Sequence, residues 1–209
     1  MSAVNKKTFR YSLKMAVFFL FVSLFACQKN TPSVTNPDVL ALPEGFPEIN
    51  FPADNQFTKA RWDLGKKLFF DPILSKDSTI SCASCHKPEL AFADDVAFSP
   101  GIENRPGTRN APSLGNVAYQ PYLLREGSLP TLEMQVLVPI QEHNEFDNNI
   151  VEIAEQLAKN PIYVAMSQAA YSRNPDPFVI TRAIATFERS LLSGGSAFDK
   201  WMNGDDLAL

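Results

Sequence analysis

Two histidines and three cysteines are all that this 209-residue sequence offers among the strong transition-metal ligands. One cysteine, Cys27, stands alone near the N-terminus, and the other two share one short motif, Cys82-Ala83-Ser84-Cys85-His86. No pair is left over for a structural disulfide. A tetrahedral zinc site at Cys82 and Cys85 would need two further ligands, and only His86 and His143 remain. Alternating apolar and polar residues are missing at any length, so strands are not predicted, and a redox dithiol loses the strand-helix-strand setting it ordinarily occupies. A basic surplus is lacking too. Lys and Arg number 19 against 23 Asp and Glu, a formal charge of −4 that argues against nucleic acid as a partner. Long hydrophobic runs are also absent. Met15 to Ala26 carries no charge but is too short to span a bilayer comfortably.

That short run has a use of its own. Lys6, Lys7, Arg10 and Lys14 precede it, which is the layout of an export signal. It ends in Leu24-Phe25-Ala26-Cys27, which resembles the lipobox of bacterial lipoproteins, so residues 1–26 are expected to be removed and Cys27 to carry lipid. An ordinary cleaved signal with an incidental cysteine is the competing reading. Either way the expected location is the periplasm, and on the lipoprotein reading the lipid holds the protein to a membrane. Cleavage would take away four positive charges and no negative ones, so −4 becomes −8. An acidic surface suits a basic protein partner, and it equally suits mere solubility. Residues 27–50, rich in Pro, Thr, Asn and Ser, read as a flexible tether, leaving 51–209 as the folded domain.

Within that domain the periodicity is helical. Phe57, Ala60, Leu64 and Leu68 recur at three- and four-residue steps from Ala53 until Asp71-Pro72 stops the helix. Residues 93–130 hold many Gly and Pro residues and no sustained period, which predicts a long irregular loop of the kind that is often functional. A short helical segment follows Thr131, then helices over about 149–159 and 161–171. Asp176-Pro177 is an N-cap with proline at the first helical position. Ile180, Ala183, Ile184, Phe187 and Leu191 form the buried stripe of that helix, and Gly194-Gly195 are expected to end it. The fold class is all-α with long irregular connections.

Cys82-Ala83-Ser84-Cys85-His86 has the spacing that attaches a c-type haem. Both thiols reach one edge of the porphyrin and add to its vinyl groups, while His86 presents an imidazole nitrogen to the iron. One c-type haem is therefore expected, on Cys82, Cys85 and His86. The other axial position decides function, since a strong ligand gives an electron carrier and an open site gives peroxide or oxygen chemistry. Met134, Met166, Met202 and His143 are the candidates for it, the methionines also reading as core filling and His143 as a surface residue. A carboxylic acid of raised pKa beside an open site could move a proton between the oxygens of a peroxide. Glu133, Glu142 and Glu145 are all placed for that, and composition does not choose among them.

From Leu64 to Phe146 the sequence resembles the N-terminal half of bacterial di-haem cytochrome c peroxidases and MauG-type oxidases. The resemblance lies in Gly65-Lys66-Lys67-Leu68-Phe69-Phe70-Asp71-Pro72, the haem motif with Pro88 after it, and Arg109-Asn110-Ala111-Pro112-Ser113-Leu114. It continues in Leu132-Glu133-Met134-Gln135 through Pro139 to Glu145, and in Ala183-Ile184-Ala185-Thr186-Phe187-Glu188-Arg189. It implies that the haem is the peroxidatic one, with Gln135 as the distal glutamine, Glu145 as the catalytic glutamate and Pro139 lining the distal pocket. It also implies that Asn110 helps hold a calcium ion. Hydrogen peroxide becomes the expected substrate and a small redox protein such as a cytochrome the expected electron donor.

Three departures from the family pattern stand out. Arg125-Glu126-Gly127 occupies the place where Trp-Asp-Gly is common, which removes the tryptophan expected to relay electrons between haems. No histidine lies between His86 and His143, so the iron is expected to be open without reductive activation, unless His143 blocks it. No second Cys-x-x-Cys-His follows, so a second haem domain is expected to be a separate partner, to have been lost, or never to have belonged to this protein.

Overall fold

A computed structural model describes residues 39–209. The export signal, Cys27 and the first part of the expected tether lie outside the described residues. Residues 40–50, the last part of that tether, are not a free spacer: Leu40 is 2% exposed, the Phe46 ring meets Tyr119 edge-on at 5.7 Å, and the Tyr119 hydroxyl donates to the Pro47 carbonyl. Apolar side chains at 40 and 46 give this stretch something to bury, so the domain begins some ten residues earlier than composition alone suggests.

Helix α1 (Lys59–Phe70) starts six residues later than its periodicity implies. Thr58 is the reason, for it is extended at φ −141°, ψ 152°, and its hydroxyl accepts from Arg61 N at 3.2 Å. Asp71 ends the helix, and its carboxylate accepts from Ile73 N to start the tight turn Pro72–Leu74. The second long helix of the frame, α7 (Pro177–Arg189), is capped by Asp176 as its sequence predicts, but it stops at Ser190, before Gly194-Gly195. α1 and α7 cross at Gly65, where a Cβ would stand 1.9 Å from the Ala183 carbonyl oxygen. Only glycine lets the two backbones come that close. Leu64, Leu68, Phe69, Ile180, Ala183 and Ile184 fill the crossing and are all but fully buried. Each large aliphatic or aromatic side chain among them contributes about 1.5–3 kcal/mol.

Four shorter helices complete the frame. α3 (Leu132–Gln135) and α4 (Leu137–Gln141) are two pieces of one path, broken at Val136. Pro139 explains the break, because it has no N–H for the Gln135 carbonyl and its ring would collide with that group. α5 (Ile150–Ala158) and α6 (Pro161–Tyr171) lie where their periodicity and their Asn149 and Asn160 caps put them. A single turn, α2 (Cys82–Cys85), carries the haem motif, and a last helix, α8 (Ala197–Met202), was not anticipated although Ser196 and Asp199 form a capping box. Among the described residues there is no strand, only isolated bridges such as Lys87–Ala93, so the fold is all-α. None of their helices is long and apolar enough to cross a membrane.

A buried polar knot ties the frame together. Asn55 donates to Glu133 Oε1 at 2.9 Å and to the Arg182 carbonyl at 3.0 Å, and accepts from the Tyr171 and Thr186 hydroxyls. Arg189 makes a two-pronged pair with Glu133 at 2.6 and 2.9 Å. Burial alone would raise the Glu133 carboxyl, but Arg189 and Asn55 outweigh it and hold it below the usual range. Glu133 thus anchors α3 to α7 and is removed from the list of proton shuttles.

Candidate functional site

Ser81 begins the attachment turn with reciprocal bonds to Ser84, so Cys82 and Cys85 project from one fixed helical turn. Both are free thiols. Burial pushes the Cys85 thiol up to about 11 and the Cys82 thiol higher still, the reverse of the lowered thiol a redox dithiol needs. Among the described residues no cluster of three or more His, Cys, Asp or Glu side chains could hold a metal ion, which leaves zinc without a site.

His86 closes the turn. Its Nδ1 lies 2.8 Å from the Phe92 carbonyl, so the proton belongs on Nδ1 and the Nε2 lone pair is left for iron. Phe92 reaches that position through two successive left-handed residues, Ala91 and Phe92, at φ 55° and 58°. The Lys87–Ala93 bridge, Lys87 paired with Asp94 and Asp95, and the Ser113 hydroxyl on the Ala91 carbonyl hold this tight loop. Burial keeps the His86 ring neutral, which is the form that ligates. Phe69 packs beside it, ring centres 6.5 Å apart, so the core of the frame supports the imidazole directly.

The three glutamates now separate. Glu133 is in the buried knot and Glu142 is exposed. Glu145 is half-buried, its carboxyl raised by burial and further by Glu142, and its charge acts on both Cys82 and Cys85. Cys85 Sγ lies 3.9 Å from the Pro100 carbonyl, and Gly101, the next residue, packs on the Glu145 Cα, so the Glu145 backbone runs close to Cys85. That backbone is clamped on each side. Ile102 N donates to the Glu145 carbonyl at 3.0 Å, and Gly101 lies so close that a Cβ would be 2.0 Å from the Asn144 carbonyl oxygen. Arg105 donates to the His143 carbonyl at 2.8 Å and to Asp147 at 3.0 Å. Gln135 ends α3 half-buried, one turn before Pro139, and the Pro139 carbonyl accepts from Phe146 N at 3.1 Å. Gln135, Pro139 and Glu145 are thus parts of one folded-back segment.

The other candidates disperse. The His143 side chain is 69% exposed and pairs with Asp147, while Met134 and Met202 are 46% and 63% exposed. Met166 packs against the core. Asn110 Oδ1 accepts from the Arg125 guanidinium, which brings a positive charge against the expected calcium ligand, and Arg109 beside it pairs with Glu126. A cation of the chain's own stands where a metal ligand was expected, and the residues present do not fit calcium.

Two buried polar atoms remain unpartnered among the described residues, Ser99 Oγ and Glu188 Oε2. Sequence reading gave neither a role. Glu188 lay in a recognised motif, but its burial is a property of the α1–α7 crossing and leaves no mark in a helical pattern. Haem fits the arrangement: two thiols on one turn and a neutral imidazole with a free Nε2.

The family described as di-haem cytochrome c peroxidase matches residues 59–207. MauG of Methylorubrum extorquens, a methylamine utilization protein, is 34% identical over 86% of this chain and 52% of its own length. Cytochrome c551 peroxidase of Nitrosomonas europaea is 38% identical over 70% of this chain and 44% of its own. A solved MauG-like protein associated with microbial copper homeostasis superimposes with a TM-score of 0.73 at 31% identity, covering 78% of this chain and 49% of that one. The chain spans about half the length of the curated relatives it matches.

Proposed function

We propose, from the premise that this chain belongs to the di-haem cytochrome c peroxidase family, that it carries one c-type haem and reduces hydrogen peroxide to water with electrons from a small redox protein. The observation that carries the proposal is Glu145: of three glutamates near the end of the long loop, it is the one neither ion-paired nor exposed, and Pro100 and Gly101 link its backbone to Cys85.

When bound, the haem supplies an iron that exchanges electrons and accepts an oxygen ligand. Cys82 and Cys85 would hold it through their thiols, and His86 would give Nε2 to the metal. Glu145 takes the proton from one peroxide oxygen and returns it to the other, which converts a poor leaving group into water. A carboxyl raised by burial suits both halves of that transfer better than an ordinary one. Gln135 orients the peroxide by hydrogen bonding, and Pro139, which has no N–H to offer, keeps one wall free of competing donors. The overall balance is one peroxide, two electrons and two protons to two waters. The electrons come from outside this chain, from a cytochrome-like donor or from a separate second-haem domain. The mature protein works in the periplasm, tethered through lipid on Cys27, and Cys27→Ser would move it from the membrane fraction to the soluble one.

The test is the visible spectrum of the ferric protein before and after stoichiometric hydrogen peroxide. A high-spin spectrum that changes within the mixing time is expected, with Glu145→Gln slowing the change by about 10²–10⁴-fold. A low-spin spectrum indifferent to peroxide would overturn the peroxidase reading and leave an electron-transfer module.

A further inference from the structure

The His86 imidazole stands at one end of a chain of packed aromatic rings. Phe69 lies 6.5 Å from it between ring centres, Phe187 lies 5.0 Å beyond Phe69, and Trp62 lies 5.8 Å beyond Phe187. Phe70 joins the same cluster, 5.4 Å from Phe69 and 6.0 Å from Phe187. Phe69 and Phe187 are buried, whereas Trp62 is half-buried and Phe70 is 42% exposed. The rings therefore run from the iron ligand through the α1–α7 crossing to the surface. At that exit the Trp62 indole N–H donates to Ser190 Oγ at 2.7 Å, which fixes the ring. The other tryptophan, Trp201, pairs with Phe198, outside the cluster.

Charge marks the same exit. Trp62, Lys66 and Phe70 recur at four-residue steps, so they share one face of α1. Lys66 Nζ stands 5.0 Å from the centre of a Trp62 ring and Lys59 Nζ 5.9 Å. Lys59 is paired with Asp63 at 2.7 Å, but Lys66 is exposed and has no ion pair among the described residues. α1 carries Lys59, Arg61, Lys66 and Lys67 against Asp63 alone, in a chain whose formal charge is −4. Net charge would select a basic partner. This face selects an acidic one, because a docking protein responds to charges within about 10 Å of the contact at 0.1 M ionic strength. We propose that the α1 face around Trp62, Lys66 and Phe70 is the docking surface for an acidic one-electron donor protein. A donor seated there is joined to His86 through packed rings instead of solvent, which favours tunnelling. One electron leaves the donor, which is oxidised by one unit, and the iron on His86 is reduced by one. No bond forms or breaks, and no proton need move.

This inference rests on the reading that a separate redox protein supplies the electrons, and the experiment separates the two. The probes are one acidic and one basic c-type cytochrome, each reduced and mixed with the ferric holoprotein in stopped flow. Binding of the oxidised forms is measured by titration calorimetry. At low ionic strength the acidic cytochrome is expected to bind more tightly and to transfer its electron about tenfold faster or more, an advantage lost at about 1 M salt. Lys66→Glu should remove that advantage in both measurements and leave reduction by a small neutral hydroquinone unchanged. Lys200→Glu makes the same change in net charge on another helix, α8, and should alter neither. A basic cytochrome that binds as tightly, an acidic one that does not bind, or a Lys66→Glu effect matched by Lys200→Glu would each overturn the proposal. A holoprotein that takes the electron at this face yet ignores peroxide would sink the peroxidase reading and leave the docking surface standing.

Discussion

The helical frame and the loop-built site treat their polar groups in opposite ways. In the frame, Asn55 satisfies its amide four times over and Arg189 and Glu133 saturate each other. In the site, Glu145 makes no side-chain hydrogen bond among the described residues, and neither Cys82 nor Cys85 is tied up in a disulfide. A frame folds on its own contacts, whereas groups left open at this cost are kept for something that binds. The backbone reverses the contrast. In the frame only Ser172, the cap that ends α6, is left-handed, while the loops hold Ser78, Ala91, Phe92, Glu103, Asn104, Asn116, Leu124 and Asp147 at positive φ. Strain is concentrated where the side chains must be aimed.

The comparison breaks first at Gly65. Gly65→Val should cost more than 4 kcal/mol and abolish cooperative unfolding of the domain, because the added carbon overlaps the Ala183 carbonyl and nothing nearby can yield. Arg189→Met comes next, at about 3–5 kcal/mol in chemical denaturation, since it leaves Glu133 charged and buried. Both tests strike the frame, and neither touches a group aimed at the haem.

Much of the frame was legible in the sequence. The Asp176 cap is legible because a cap is a local event, written within four residues, whereas the helices that Thr131, Asn149 and Asn160 cap are predicted from periodicity alone. Residues whose partners are far away were not legible. The periodicity from Ala53 does not show where α1 starts, because Thr58 caps the helix and Asn55 before it is held in a knot with Glu133, 78 positions on. The tether was drawn too long because Leu40 and Phe46 bury against elements that a linear pattern does not bring near. In the site the attachment motif is contiguous and was read outright, while the choice among Glu133, Glu142 and Glu145 waited for burial and pairing. The resemblance points to Glu145, and among the three glutamates it is the half-buried one with no ion pair.

Gly101→Val sharpens the contrast from the other side. Its Cβ would press on the Asn144 carbonyl and the Glu145 Cα, so the substitution should displace the glutamate while α1 and α7 keep their packing. Peroxide reactivity by stopped flow should fall at least tenfold, and the melting temperature should fall far less than for Gly65→Val, with a loss of about 1–3 kcal/mol.

The smallest expected effect is that of a chelator. If Arg125 supplies the positive charge at Asn110, removing divalent ions with excess chelator should leave the melting temperature of the purified protein within about 1 °C, since only a ligand bound to the folded state shifts that equilibrium. Arg125→Ala then becomes the informative partner. It frees the Asn110 oxygen without adding an acidic ligand, and with Arg109 paired to Glu126 the loop gains no cage. Added calcium should therefore fail to restore the variant, whose own loss should stay below about 1 kcal/mol because the contact is exposed. A chelator that lowers the melting temperature of the wild-type protein by several degrees would mean that the loop yields Asn110 to a metal after all, and that the site half borrows its order from an ion while the frame makes its own.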